Sequence, residues 1–309
     1  MITTILALVL LQAGGTFTAH THTGDAGSRQ YWLYVPSSYD GTKPIPLVVM
    51  LHGCTQDAND SARGTRLNER AEADGFMVVY PEQPAAANPL KCWNWFDAQH
   101  QSRDTGEPAI IAGITREVTT SHRIDERRVF LGGMSAGAAM ANIVAINHPE
   151  LFTALALHSG IAFKAATSVF EARKAMNEGG PDPAEQGKVA HAAMGDRARV
   201  IPVLIVQGAQ DKSVPPLHTA QLAKQWLTIG EALGAGATAP ETTRAQSASG
   251  YHFSREVFSD AQKRVLVETI VVDELAHAWS GGSADGTFTD PKGPDATAAM
   301  LRFFFQSVK

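Results

Sequence analysis

Cysteine is scarce in this chain. Cys54 and Cys92 are the only two, so a single disulfide is the most the chain can form. At 309 residues, long enough for one or two domains, it is no small scaffold dependent on bridges for its stability. Charge is thin as well: 18% of residues are charged, against roughly 25% in soluble proteins at large. The 26 Lys+Arg are outnumbered by 31 Asp+Glu, a formal net charge of −5, and no basic cluster exceeds Arg127-Arg128 or Lys263-Arg264. Such a surface offers nothing for phosphate backbones or anionic lipid to bind, which excludes nucleic acid and membrane as main partners. No run approaches the roughly 20 consecutive apolar residues that span a bilayer. Internal repeats are missing, and so is any linker rich in Pro, Gly or Ser. The expected organisation is an N-terminal segment over residues 1–27 and a single α/β domain over 28–309.

Ile2–Leu11 has the length of a signal-peptide apolar region, but no Lys or Arg precedes it and no A-x-A site follows near Gln12-Ala13-Gly14. Export signal and N-terminal arm both stay open. His20 and His22 form a lone H-x-H with no third ligand at metal spacing, and read as part of a solvated arm. A Cys54–Cys92 bridge would favour an extracellular or periplasmic location; two reduced buried thiols would suit the cytoplasm.

Apolar runs of strand length alternate with helical patterns. Tyr31–Val35 and Pro46–Leu51 read as strands with an antiparallel start around Tyr39-Asp40-Gly41, and Arg63–Asp74 as a helix closed by Gly75. Phe76–Tyr80, Val129–Leu131, Ala154–Leu157, Val203–Val206 and Val265–Val272 are further strands. Helices are expected at Pro108–His122, Ser135–Asn147, Leu217–Leu233 and Ala296–Phe305. This alternation predicts a mostly parallel sheet covered by helices on both faces. Ile161–Arg199 and Gly234–Gly250 read as insertions that could rim a cleft.

Gly133-Met134-Ser135-Ala136-Gly137 matches G-x-S-x-G, with the apolar strand Val129–Leu131 running into it and a small-residue helix running out. That context is what a nucleophile elbow needs, since its glycines permit a tight turn that exposes the Ser135 hydroxyl. A serine at its ordinary pKa is a poor nucleophile, so an acid and a base should follow, in that order, on loops beyond later strands. Asp211, after Val203–Val206, is the acid, with Asp273 as fallback. Of the histidines downstream of Asp211, His218 belongs to a helix start and His252 to an extended segment. His277, after Val265–Val272, is therefore the base. Two backbone N–H groups must receive the oxyanion. Ala136 supplies one, and the loop His52-Gly53-Cys54-Thr55-Gln56 supplies the other through Cys54, with Thr55 the alternative.

Together, His52–Gln56, Tyr80-Pro81-Glu82-Gln83, Cys92-Trp93-Asn94-Trp95-Phe96, the Ser135 elbow, Asp211 with Val214-Pro215, and His277-Ala278-Trp279-Ser280-Gly281-Gly282 resemble the poly(3-hydroxybutyrate) depolymerase-type esterase family, related to feruloyl and acetyl xylan esterases. The resemblance runs in order from about Tyr31 to Phe305. It implies an α/β-hydrolase fold, a Ser135–Asp211–His277 triad, and Cys54 paired with Cys92 beside the oxyanion loop.

Trp93, Trp95 and Trp279 lie next to these loops and are expected to offer flat surfaces to substrate. Only four residues follow Phe305, so contact with a polyester is expected from the catalytic domain itself rather than from a polymer-adsorbing module. No cofactor or metal is implied; the loop Gly282–Asp295 lacks the ordered ligand spacing of an EF-hand. The expected activity is hydrolysis of polyhydroxyalkanoate-type polyesters or their oligomers through an acyl-enzyme. Feruloyl or acetyl ester hydrolysis on plant cell-wall polysaccharide is the alternative. An acyltransferase could use the same triad, and a non-catalytic binding protein the same fold.

Overall fold

Residues 45–51, 77–81, 154–158 and 203–208 are buried at nearly every position, as parallel strands covered on both faces should be. The computed structural model describes residues 14–308; Ile2–Leu11, weighed above as signal or arm, lies outside them. In chain order the elements are β1 (Thr16–Gly24), β2 (Gly27–Val35), β3 (Ile45–Leu51), α1 (Ala58–Thr65), α2 (Leu67–Asp74), β4 (Met77–Pro81), α3 (Gly106–Ser121), β5 (Ile124–Met134), α4 (Ala136–Asn147) and β6 (Ala154–His158). They continue with α5 (Val169–Glu178), α6 (Pro183–Met194), β7 (Val203–Gly208), α7 (Leu217–Ala232), β8 (Glu241–Gln246), β9 (His252–Ser259), β10 (Val265–Val272), β11 (Trp279–Ser280), β12 (Thr289–Asp290) and α8 (Ala296–Gln306).

Ten strands form one sheet in the order β1-β2-β4-β3-β5-β6-β7-β10-β9-β8. The stretch from β4 to β10 is parallel, and antiparallel strands extend it at both edges. Alternation along β3 divides the core into two layers. Leu47, Val49 and Leu51 pack with residues of α3, α4, α6 and α7, whereas Val48 and Met50 pack with α1, α2 and α8. Every residue of α4 is buried, so its apolar composition all round is that of a central helix enclosed by its neighbours. This is the α/β-hydrolase fold expected from the sequence.

Some local expectations are corrected. β2 and β3 are not an antiparallel pair: β4 lies between them, antiparallel to β2 and parallel to β3. The helix expected over Arg63–Asp74 is two helices, broken where Arg66 takes a left-handed φ of 56°. Residues 16–24, including His20 and His22, are not a solvated arm but the edge strand β1, paired with β2 along its whole length. Its mostly polar sequence has no apolar alternation to announce a strand, and its pairing rests on backbone hydrogen bonds. His22 Nδ1 bonds Glu117 at 2.6 Å, and His20 stacks on Tyr31.

Crossovers return the chain so that the loops after β3, β5, β7 and β10 open at the carboxyl edge of the parallel strands, where ligands bind in open α/β sheets.

Candidate active site

At Ser135 the chain turns from β5 into α4 with φ 56° and ψ −123°, a conformation seldom taken by a residue with a Cβ. Its N–H donates to the His158 carbonyl at the end of β6 (2.9 Å), which ties the turn to the sheet. The flanking glycines are steric necessities. A Cβ on Gly133 would stand 2.5 Å from the Gly137 carbonyl carbon, and one on Gly137 would stand 2.2 Å from the Leu51 carbonyl oxygen. Only the pair lets α4 start against the ends of β3 and β5.

Asp211 lies on the loop after β7 and His277 on the loop after β10. The structure brings both to Ser135: His277 Nδ1 is 2.7 Å from Asp211 Oδ2, and Nε2 is 3.0 Å from Ser135 Oγ. An ionised carboxylate only accepts, so Nδ1 carries the proton and the neutral ring offers an Nε2 lone pair to the hydroxyl. Burial alone would raise the Asp211 pKa. The bond from His277, the positive charge that ring carries when protonated, and the N–H groups of Val214 (2.8 Å) and Ser213 (2.9 Å) overcome that and hold the carboxyl below its ordinary value. Gln207 Nε2 also donates to Oδ2 at 3.1 Å. The histidines set aside in the sequence are engaged elsewhere, His218 with the Met176 carbonyl and His252 with Glu274. Asp273 pairs with Arg244.

The loop after β3 runs beside Ser135, where a Cβ on Gly53 would stand 3.5 Å from the Ser135 Cβ. Gly53 N–H donates to Gln56 Oε1 (2.9 Å) and Thr55 N–H to the Leu90 carbonyl (2.6 Å), while the Cys54 N–H has no acceptor among the described residues. Ala136, first residue of α4, has an N–H that no intrahelical carbonyl can reach. Among the described residues the Cys54 and Ala136 N–H groups have no acceptor, whereas that of Thr55, the alternative, is taken up by the Leu90 carbonyl. A disulfide joins Cys54 to Cys92.

His52 anchors this loop. Its Nδ1–H donates to the Gly53 carbonyl (2.7 Å) and its Nε2 accepts from Gln83 N–H (3.0 Å), an arrangement that requires the neutral ring. Burial lowers its pKa to about 4 against the opposing pull of the Gly53 carbonyl.

The tryptophans do not line a cleft. Trp93, Trp95 and Trp279 are 0, 6 and 3% exposed. Each is held from within: Trp93 Nε1–H donates to the His52 carbonyl (3.1 Å), Trp279 Nε1–H donates to Thr297 Oγ1 (3.0 Å) while its ring stacks on His158, and Trp95 packs edge-on against Phe96. They support the site loops from beneath.

Residues not singled out in the sequence complete the site. Gln56 Nε2 donates to Asp60 Oδ2 (2.9 Å) and to the Thr287 carbonyl (3.0 Å), joining the loop after β3 to the segment before β12. His158 is fully buried behind His277, and Phe288 lies exposed beside it. A histidine closing the apolar strand Ala154–Leu157 was a readable signal. Asp60 and Phe288, in segments without periodicity, left none.

The hydrogen-bonded line from Asp211 through His277 to Ser135 can remove a proton from the hydroxyl and hold the resulting imidazolium. Among the described residues no cluster of His, Cys, Asp or Glu is suited to a metal ion, and no helix is long and apolar enough to cross a membrane.

Residues 29–248 match the family model described as Esterase PHB depolymerase. The chain is 31% identical over 267 residues to poly(3-hydroxyalkanoate) depolymerase C of Paucimonas lemoignei, a match covering 86% of this chain and 60% of that protein's length. It is 30% identical over 208 residues to feruloyl esterase B of Thermothelomyces thermophilus, covering 65% of this chain and 70% of that one. Among solved structures, an acetyl xylan esterase from Aspergillus awamori superposes with a TM-score of 0.69 at 22% identity, over 84% of this chain and 94% of that one, a likeness of fold.

Proposed function

The chain belongs to the Esterase PHB depolymerase family of carboxylic-ester hydrolases, and from that premise we propose that it cleaves esters through an acyl-enzyme on Ser135. The observation that carries this reading is the hydrogen-bonded line from Asp211 through His277 to Ser135. His277 takes the Ser135 proton as Oγ attacks the ester carbonyl, Asp211 stabilises the imidazolium, and the Cys54 and Ala136 amides receive the oxyanion. His277 then returns the proton to the leaving alcohol, and water repeats the sequence to release the acid.

The substrate class we propose is a polyhydroxyalkanoate-type polyester or its oligomers, supported by the similarity to the Paucimonas lemoignei depolymerase, of which this chain spans 60% of the length. The feruloyl esterase relative and the acetyl xylan esterase neighbour favour a second reading, an ester on plant cell-wall polysaccharide. The Cys54–Cys92 disulfide supports an oxidising location, extracellular or periplasmic.

The test is kcat/KM on a hydroxybutyrate oligomer, a feruloylated sugar, an acetylated xylan oligomer and a short p-nitrophenyl ester. The polyester reading expects the oligomer to lead the three natural-type esters; a lead for either sugar ester moves the assignment to polysaccharide. Ser135→Ala should lower all of them by roughly four to six orders of magnitude, since triad members act as a unit.

A further inference from the structure

Phe288 is a large apolar side chain left 46% exposed, on a backbone with φ 51°, in the left-handed region that bulky residues avoid. The surrounding bonds hold it there. Thr287 N–H donates to Asp60 Oδ1 (3.0 Å), the Thr287 carbonyl accepts from Gln56 Nε2 (3.0 Å), and the Phe288 carbonyl accepts from Trp279 N–H (2.7 Å). With the backbone pinned on both sides, the ring stands edge-on to the His277 imidazole, centroids 6.3 Å apart at 74°. Gln56, which holds Thr287, also accepts from the Gly53 N–H, so one side chain sets both the ring and the loop that carries the Cys54 amide.

The reaction gives the two sides of the site different occupants. During acylation the carbonyl carbon bonds Ser135 Oγ, the carbonyl oxygen turns to the amides of Cys54 and Ala136, and the C–O bond to the alcohol breaks. The proton taken from Ser135 passes from His277 Nε2 to that departing oxygen. The alcohol half must therefore lie on the His277 side, and the acyl half away from it. We propose that Phe288 is a specificity-determining residue for the leaving alcohol, its ring forming an apolar wall against the carbon atoms next to the departing oxygen. In a hydroxybutyrate oligomer those atoms are a methyl-branched carbinol, a group that gains by burial on an aromatic face. The proposal rests on the roles assigned to Ser135 and His277.

The experiment uses two ester series with wild type, Phe288→Ala and Phe288→Leu. One keeps an acetyl group and enlarges the alcohol from methyl through isopropyl to phenyl; the other keeps methanol and lengthens the acyl chain. Wild type should prefer the larger alcohols. In Phe288→Ala that preference should shrink by roughly 10-fold in relative kcat/KM, with Phe288→Leu between. The acyl-chain preference should stay as in wild type. So should the deacylation rate after a p-nitrophenyl acetate burst, because the alcohol has left by then. The exposed ring contributes little to folding, so both variants should melt near wild type. An unchanged alcohol preference in the two variants overturns the proposal. So does an equal loss in both series and in deacylation, which would make the ring a support for His277. Activity surviving in Ser135→Ala would instead remove the acyl-enzyme reading itself, an outcome distinct from either.

Discussion

His158 Nε2 accepts a hydrogen bond from the backbone N–H of Ser280 at 3.2 Å, three residues beyond His277. The same histidine stacks on Trp279 with ring centroids 5.0 Å apart, so the loop carrying His277 rests on a buried imidazole at the end of β6. His158→Ala would leave the Ser280 N–H unpaired, at a cost of about 1–3 kcal/mol, and free the loop to shift. The expected result is a kcat lowered about 10-fold with KM little changed, and partial recovery in His158→Asn, whose side-chain oxygen can accept. Wild-type kcat in His158→Ala would show that the loop needs no such support.

Acid should destabilise the fold well above the carboxylate range. Burial lowers the His52 pKa to about 4, and burial together with repulsion from His277 lowers that of His158 to about 3. Unfolded, both return to about 6.5. Between these limits the unfolded chain binds more protons than the native one, so the stability is fully present above pH 6.5 and is lost as pH falls to about 4 for His52 and about 3 for His158. Each histidine contributes up to about 1.4 kcal/mol per pH unit in that window. Urea unfolding at pH 7, 6 and 5 should reveal the decline. Equal stability at all three would contradict the neutral, buried state assigned to both rings.

Reducing the Cys54–Cys92 bridge releases a constraint across a sequence separation of 38 residues, worth about 4 kcal/mol on the chain-entropy account. Thermal unfolding with and without reductant should show a lower midpoint for the reduced protein. A loss of kcat in the reduced but still folded protein is also expected if the Cys54 amide receives the oxyanion as proposed. An unchanged midpoint would mean that the bridge adds nothing to stability.

What could be read from the sequence follows from how local each signal is. The elbow at Ser135 declares itself through Gly133 and Gly137, because a turn that forbids a Cβ at both positions admits few other residues. Asp211 and His277, the proposed acid and base, stand out in the sequence as polar residues just past apolar strands. The tryptophans misled because sequence proximity to a loop does not say which face of the loop a ring occupies; Trp93 and Trp279 turned inward to satisfy their N–H groups. β1 and β8 were invisible for a different reason: their polar sequences pair at the sheet edges through the backbone. Phe288 depends on contacts with Asp60 and Gln56, more than 200 residues earlier, and no window of sequence contains that information.

The most direct test of the acyl-enzyme is to see it. Mass spectrometry of the protein quenched during turnover of p-nitrophenyl acetate, followed by peptide mapping, should find one acetyl group on Ser135. His277→Ala, with no base to activate the hydroxyl, should carry none on the same timescale. An acetyl group on another residue during turnover, or full turnover by Ser135→Ala, would contradict the account.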